Sequence, residues 1–320
     1  MLKVIHGFVG LFAVCFILAG CSDEPGRAAA PNVNKSQGVE DTASFEATKR
    51  AAEQGDAEAQ FDLGRMYIRG QGVAKNDAEA VTWIRKAAEQ GYALAQTALG
   101  AMYDNGRGVA QNETEAVKWL RLAAEQGYAD AQYLLGGMYG SGRGVTKDEA
   151  EAVKWTQKAA EQGNADAQAT LGWAYTEGRG VAKDYAEAVK WWRKAAEQGD
   201  AMAQVNLGGM YGDGRGVTKD EVEAVKWVRK AAEQGYAPAQ GLLGMACAEG
   251  RGMAKDEAEA VKWFQKAADQ GHAEAQFELG ASYFRGRGVA KDEAEAVKWF
   301  QKAADQGHQK AQDALRALSR

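Results

Sequence analysis

Few side chains in this 320-residue chain are spaced to break bonds. Its histidines are His6, His272 and His308, and the last two share a turn position that Asp56, Tyr92, Tyr128 and Asn164 fill elsewhere. A metal ligand set or a general base needs partners at a fixed spacing. No His cluster has that spacing, no Ser-x-x-Lys motif occurs, and no conventional set of Ser, His and Asp can be assembled. Gly140 and Gly142 lack the strand-then-helix context of a nucleotide fingerprint and read as loop punctuation. Glu79, Glu115 and Glu151 read as helix caps, and Glu53, Glu89 and Glu125 as helix-end surface residues. No metal or cofactor is expected. Cys247 stands at a position held elsewhere by Tyr67, Tyr103, Tyr139, Tyr175, Tyr211 and Tyr283. It is either a buried packing thiol or, as an odd cysteine in an oxidising compartment, a redox or metal ligand.

The elements around these residues begin with an address. Lys3 gives a short basic start, and Val4 to Leu18 is an almost unbroken apolar run. It is short for a membrane span and suits a signal peptide, so residues 1–20 are set aside. The run ends in Leu18-Ala19-Gly20-Cys21, which resembles the bacterial lipoprotein box. That resemblance implies acylation of Cys21 and attachment to a membrane through the acyl chains. Ser22 after the cysteine implies, by likeness to enterobacterial sorting, the outer membrane and a periplasmic body. The alternative is a plain secretory signal. Residues 21–43 carry Pro25 and Pro31 among Gly, Ser and Asn and read as a flexible tether. As a coil of about 20 residues it would reach about 25 Å.

Residues 44–320 repeat. Gly70-Gln71-Gly72-Val73 recurs as Gly106-Arg107-Gly108-Val109 and then at Gly142, Gly178, Gly214, Gly250 and Gly286, each 36 residues on. Trp83, Trp119, Trp155, Trp191, Trp227, Trp263 and Trp299 keep the same spacing, as do the Leu-Gly pairs from Leu63 to Leu279. Seven units therefore fill residues 56 to 307, and such a period marks a repeat architecture. Glycine numbers 39 and proline only 3, so glycine must punctuate helices at regular places. Isoleucine is confined to Ile5, Ile17, Ile68 and Ile84, while Ala, Glu, Lys and Gln dominate, which disfavours strands.

Within one unit Ala59, Leu63 and Tyr67 lie on one helix face, with Gln60 and Gly64 beside them. Ala80, Trp83, Ile84, Ala87 and Ala88 form a second stripe, preceded by Asn76 and Glu79 in the capping-box relation. The same relation recurs as Asp148 with Glu151 and Asp184 with Glu187. Gly70 and Gly91 stand where helix ends need a left-handed residue. Gly64 lies inside a helix at a cost of about 1 kcal/mol, which implies a close helix contact. One hairpin cannot bury both stripes, so the expected fold is all-α: a right-handed α/α superhelical solenoid of seven 36-residue helical hairpins with a concave face. Ser44 to Gly55 matches only a second helix and His308 to Arg320 only a first helix, so half-repeats cap both ends.

The pattern Ala57-x-Ala59-Gln60-x-x-Leu63-Gly64-x-x-Tyr67, then Gly70-x-Gly72-Val73, then Glu187-Ala188-Val189-Lys190-Trp191-x-x-Lys194-Ala195-Ala196-Glu197-Gln198-Gly199 resembles the Sel-one-like repeat, a relative of the tetratricopeptide repeat. The resemblance implies a protein-interaction scaffold of the kind bacteria use in signalling, envelope and host contact. Some cysteine-rich members are assigned hydrolase activity on penicillin-like substrates. Their paired cysteines are absent here.

Two surfaces could bind. Arg107, Arg143, Arg179, Arg215, Arg251 and Arg287, with Lys147, Lys183, Lys219, Lys255 and Lys291, place positive charge along the loop edge. They either meet anionic lipid or peptidoglycan, or are balanced by neighbouring acids. The first-helix slots of residues 58, 62, 65 and 69 should face outward, and there the units diverge. That divergence encodes a partner or is drift. The candidate partner-binding residues are Leu134, Thr170, Trp173, Glu177, Asn206, Asp213 and Met245, with Trp173 as an apolar anchor and Asp130 and Asp166 as further acidic flanks. A net charge of -5 argues against nucleic acid. The expectation is a non-enzymatic envelope scaffold for a protein or peptide. The alternative is an envelope hydrolase or binder acting on β-lactam or peptidoglycan.

Overall fold

The computed structural model describes the backbone of residues 35–318 and the side chains of residues 41–318. The signal segment, Cys21 and the first part of the tether lie outside the described residues. Among those residues the chain is an all-α solenoid of seven helical hairpins, with a further helix at each end as a cap. The first helices of the hairpins are α2 (Ala57–Arg69), α4 (Ala93–Asn105), α6 (Ala129–Ser141), α8 (Ala165–Glu177), α10 (Ala201–Asp213), α12 (Ala237–Glu249) and α14 (Ala273–Arg285). The second helices are α3 (Asp77–Glu89), α5 (Glu113–Glu125), α7 (Glu149–Glu161), α9 (Tyr185–Glu197), α11 (Glu221–Glu233), α13 (Glu257–Asp269) and α15 (Glu293–Asp305). The caps are α1 (Lys35–Glu53) and α16 (Gln309–Leu318). Two compact units divide the chain: one runs to Ala167 and takes in Arg179–Val181, and the other comprises Gln168–Gly178 and the chain from Ala182 on.

Within each hairpin the helices touch backbone to side chain. A Cβ on Gly64 would lie 2.5 Å from Ile84 Cγ1, and one on Gly172 would lie 2.5 Å from the Trp192 ring. The glycine that weakens each first helix is therefore offset by close packing. The loop that follows turns at a left-handed glycine such as Gly106, with φ of 71°, and then docks on the preceding second helix. A Cβ on Gly108 would overlap the Asp77 carbonyl, and one on Gly252 the Glu221 carbonyl. Gly72 docks on the Asp41 carbonyl in the same way, and α1 takes in Lys35 to Ala43, residues expected above to be tether.

The caps form with one change of partner. Asn76 accepts from the N–H groups of Ala78 and Glu79, and Asp148 from that of Glu151. The reciprocal half of the expected capping box is made otherwise: the Asp148 N–H donates to the Tyr139 carbonyl at 3.0 Å, tying the loop to its own first helix. Glu151 is thereby free to pair with Lys154 at 2.8 Å, and Glu115 pairs with Lys118.

A buried glutamine ties neighbouring repeats together and also pairs with a second glutamine of its own hairpin. Gln96 donates to the Ala88 carbonyl at 3.1 Å and accepts from Gln126 at 2.7 Å. In the second unit Gln240 donates to Ala232 and accepts from Gln270. Gln96 and Gln240 are 4% exposed, whereas their partners Gln126 and Gln270 are exposed. The carbonyls that Gln96 and Gln240 meet belong to the last turn of a second helix and also accept from the N–H groups of Gly91 and Gly235, each at 3.0 Å. At the ends Gln60 reaches Ala52 of α1, and Gln312 of α16 reaches Ala304, so each cap completes a junction. Arg316, at the slot of the contact glycines, is exposed and paired with Asp313.

Trp227 is 7% exposed, with the Lys230 ammonium 4.0 Å from its ring centroid. Its indole N–H has no hydrogen-bond partner, and the same holds for Trp119, Trp155, Trp263 and Trp299. The slot is thus filled for volume. Trp227→Ala is expected to cost about 3–5 kcal/mol in urea denaturation, with exchange protection lost mainly in its own and adjoining repeats. Trp227→Phe should cost less than half as much. Equal losses for the two would show that the indole nitrogen, and not ring volume, carries the slot.

Candidate binding face

First helices lie one repeat apart, so equal slots on α8, α10, α12 and α14 form rows within the second unit. In one row stand Trp173, Gly209, Met245 and Ala281, and in the next Thr170, Asn206, Leu242 and Glu278. Trp173 is half-buried and packs against the core that contains Ala169, Trp192 and Met210. Met245 is half-buried against the core of Leu243 and Cys247. Between their slots Gly209 is exposed, and a Cβ there would meet nothing within 4 Å. Its neighbour Gly208 is different, because a Cβ there would be 2.9 Å from Val228 Cγ2 and from the Ala224 carbonyl. Packing demands glycine at 208 and leaves open space at 209, giving a notch with Trp173 on one side and Met245 on the other.

The polar candidates border this notch. Thr170 is half-buried, and Glu177 is exposed. Asn206 turns back on its own helix and donates to the Met202 carbonyl at 3.0 Å. Asp213 is paired with Arg215, so the acidic rim expected from sequence is partly neutralised. Leu134 lies on α6 in the first unit, half-buried against the core that includes Leu135 and Met138. There Asp130 accepts from Asn164 at 2.9 Å. The face is less open than its slots suggested: Ala98, Ala101 and Ala281 are buried. An alanine methyl between adjoining helices is shorter than its neighbours and lies beneath them.

The loop edge is largely balanced. Arg107 pairs with Asp77 at 3.0 Å, Arg143 with Asp104, Arg179 with Glu149, Arg251 with Glu249 and Lys219 with Glu221. Exposed pairs of this kind hold little energy but leave little net field.

The two histidines of the repeats serve as helix caps. His272 Nδ1 accepts from the Ala275 N–H at 3.2 Å, and burial lowers its pKa below the usual imidazole value. His308 accepts from Ala311 and meets Glu274 at 2.8 Å. Cys247 is fully buried, and burial pushes its thiol pKa up. Its Sγ lies 3.6 Å from Sδ of Met253, which stands where other repeats carry valine. The longer methionine fills space that a tyrosine would take. Among the described residues no three of His, Cys, Asp and Glu are grouped to hold a metal, and no helix is long and apolar enough to cross a membrane.

Seven consecutive stretches, 57–92, 93–128, 129–164, 165–200, 201–236, 237–272 and 273–308, match the Sel1 repeat. The chain belongs to the Sel1 repeat family. Its fold is similar to that of c5321, a protective antigen present in uropathogenic Escherichia coli strains and displaying an SLR fold, at 41% identity and a TM-score of 0.83. That match covers 86% of this chain and 59% of c5321, so this chain spans about three fifths of that protein. A Sel1 repeat protein from Oxalobacter formigenes is 37% identical with a TM-score of 0.71, over 90% of this chain and 83% of the other. Comparison with curated proteins gives no match. As a Sel1 repeat protein the chain has a fold consistent with a non-enzymatic scaffold for protein–protein interaction.

Two measurements check this geometry. Gly209→Ala should stabilise the protein by about 0.4–1 kcal/mol, because it only restricts the unfolded chain, whereas Gly208→Ala should destabilise it. Cys247 should react with a maleimide only as fast as the protein unfolds. Rapid labelling of the native state would return the thiol to the redox reading.

Proposed function

We propose that this Sel1 repeat protein is a periplasmic scaffold, acylated at Cys21 and held at the outer membrane, that binds a protein or peptide partner on the first-helix face. The observation that carries the binding site is the notch at Gly209. A helix interior bears glycine at a cost of about 0.5–1 kcal/mol relative to alanine, and no packing contact at Gly209 offsets it. An apolar side chain or a close-lying backbone of a partner fits there against Trp173 and Met245. Half-buried tryptophan in a recess is a common binding anchor, and truncating one can cost 2 kcal/mol or more of affinity. Thr170 and Asn206 offer hydrogen bonds beside it. Glu177 is exposed, and Asp213 can exchange its arginine for a basic group of the partner, since the exposed pair contributes little. Leu134 lies in the other unit and is a candidate contact on that unit's own first-helix face. The anchor rests on the sequence Leu18-Ala19-Gly20-Cys21 and the apolar run before it.

The decisive variant is Gly209→Leu. Sister slots carry Arg65, Trp173 and Met245, so the helix accepts a large residue there. It should fill the notch without lowering thermal stability and weaken crosslinked capture of the envelope partner at least tenfold, about 1.4 kcal/mol. Trp173→Ala should weaken capture similarly, with some loss of stability from its packed ring face. Undiminished capture by both variants would move binding off this face. For the anchor, Cys21→Ala should abolish partitioning into the detergent phase and accumulate unprocessed precursor. Partitioning that survives the substitution would refute lipidation at Cys21.

A further inference from the structure

The last hairpin breaks the charge pattern of the others beside a small cavity. In two repeats the loop arginine pairs with an acid two residues before it at the end of the first helix: Arg215 with Asp213, and Arg251 with Glu249. In others the arginine reaches back to the preceding second helix, as Arg107 does to Asp77 and Arg179 to Glu149. Arg287 makes neither contact. The helix-end slot holds Arg285, and Glu257 of the preceding second helix pairs with Lys255 at 2.8 Å, which lowers its pKa, while the charge of Arg287 reaches that carboxyl only as a longer-range influence in the same direction. Neither Arg285 nor Arg287 has an ion-pair partner within 4.0 Å among the described residues. Glu278 senses the charge of Arg285, but burial, followed by the nearby charge of Glu274, holds its carboxyl above the usual pKa.

The cavity has a volume of about 90 Å³, and Arg285, Arg287, Lys255 and Glu257 stand around it. Its apolar lining includes the Phe264 ring, Ala248 and Ala281. Ser282 leaves space where Met66, Met102, Met138 and Met210 stand in four other repeats, as Ala174 and Ala246 do in two. Ser282 spends its hydroxyl on the Glu278 carbonyl at 2.9 Å, so it offers the cavity no methionine-sized side chain. Two guanidinium groups with no ion pair within 4.0 Å, beside a small, partly open recess, suit one chemistry: an anion that arginine grips in a planar fork, carried on a short apolar stem. The volume is below the about 150 Å³ of a cavity that admits benzene, which limits the stem to about three or four carbons. The carboxylate of Glu257 on the rim favours a single negative charge over two.

We propose that this pocket binds a carboxylate on a short branched aliphatic stem, the stem lying against Phe264 and the carboxylate between Arg285 and Arg287. The source is either a free short-chain acid or the C-terminus of a polypeptide ending in an aliphatic residue. It shares no residue with the notch at Gly209, so either reading can fail alone.

The test is a titration of the full chain with isovalerate, followed by NMR of the Ala248 and Ala281 methyl groups. Saturable shifts with a dissociation constant on the order of millimolar are expected. Ser282→Met and Arg285→Glu install residues that sister repeats already carry at these slots, so both should fold, and each should weaken binding at least tenfold. A hexapeptide ending in Val with a free carboxylate is compared with its amide. Tighter binding by the acid peptide than by isovalerate assigns the site to chain termini, and weaker binding assigns it to free acids. The proposal is overturned if isovalerate gives no saturable shift, if both variants bind like the parent, or if inorganic phosphate gives the same shifts at the same strength.

Discussion

A buried amide cannot be left half-bonded, and that requirement holds this stack together. Gln96, Gln132, Gln204, Gln240 and Gln276 each lie where two repeats meet, removed from water, with a helix-end carbonyl on one side and a second glutamine on the other. Losing either partner strands a polar group at a cost of about 1–3 kcal/mol. The bond from each such glutamine to a carbonyl of the preceding hairpin therefore limits how far one hairpin can slide or tilt against the next, while the glutamine pair ties the two helices of a single hairpin, and the apolar stripes of Leu, Ala and Trp pack within that geometry. Hydrophobic burial supplies most of the stability. The amides supply the register.

With the junctions specified by so few positions, the remaining surface of each hairpin is free to differ. The first-helix rows show this: arginine, alanine, glycine, tryptophan, glycine, methionine and alanine follow one another in a single slot. Charge behaves similarly at the loop edge, where most cations are matched by an acid two or about thirty residues away and Arg287 is not. A surface that is neutral by repetition makes its exceptions conspicuous. The Arg285–Arg287 pair is such an exception by missing charge, and Gly209, whose open slot Gly137 shares, stands apart by lying between the slots of Trp173 and Met245.

The period, the helix ends and the contact glycines were legible in the sequence because each depends on residues within one repeat. Leu63, Gly64 and Tyr67 signal their face by spacing alone, and Gly70 and Asn76 signal termini by type. Features made between elements were not legible. The glutamine pairs join the two helices of a hairpin across 30 residues, and the bond from Gln96 to the Ala88 carbonyl crosses to the preceding hairpin, so the role of Gln60 beside the core face does not follow from its spacing. The sequence did hold the signal, since a polar residue recurs at one inward slot in all seven units. The pairing of Asp213 with Arg215 and the burial of Ala98, Ala101 and Ala281 depend on where neighbouring side chains lie, which spacing does not give. The capping pattern at Asp148 and Glu151 was half right, because the loop's tie to Tyr139 competes for the same N–H.

The docking of each loop glycine on the carbonyl of the preceding second helix has a consequence for how such a chain can change. Gly108 meets Asp77, Gly144 meets Glu113 and Gly252 meets Glu221, always through main-chain atoms that every unit possesses. The joint is indifferent to which units it joins. Whole hairpins can be duplicated, deleted or exchanged at the level of the gene without a mismatch at the seams, while an insertion of a few residues would misplace every joint after it. Order along the chain is thus an independent variable: the same seven hairpins in another sequence would stack equally well and present a different face.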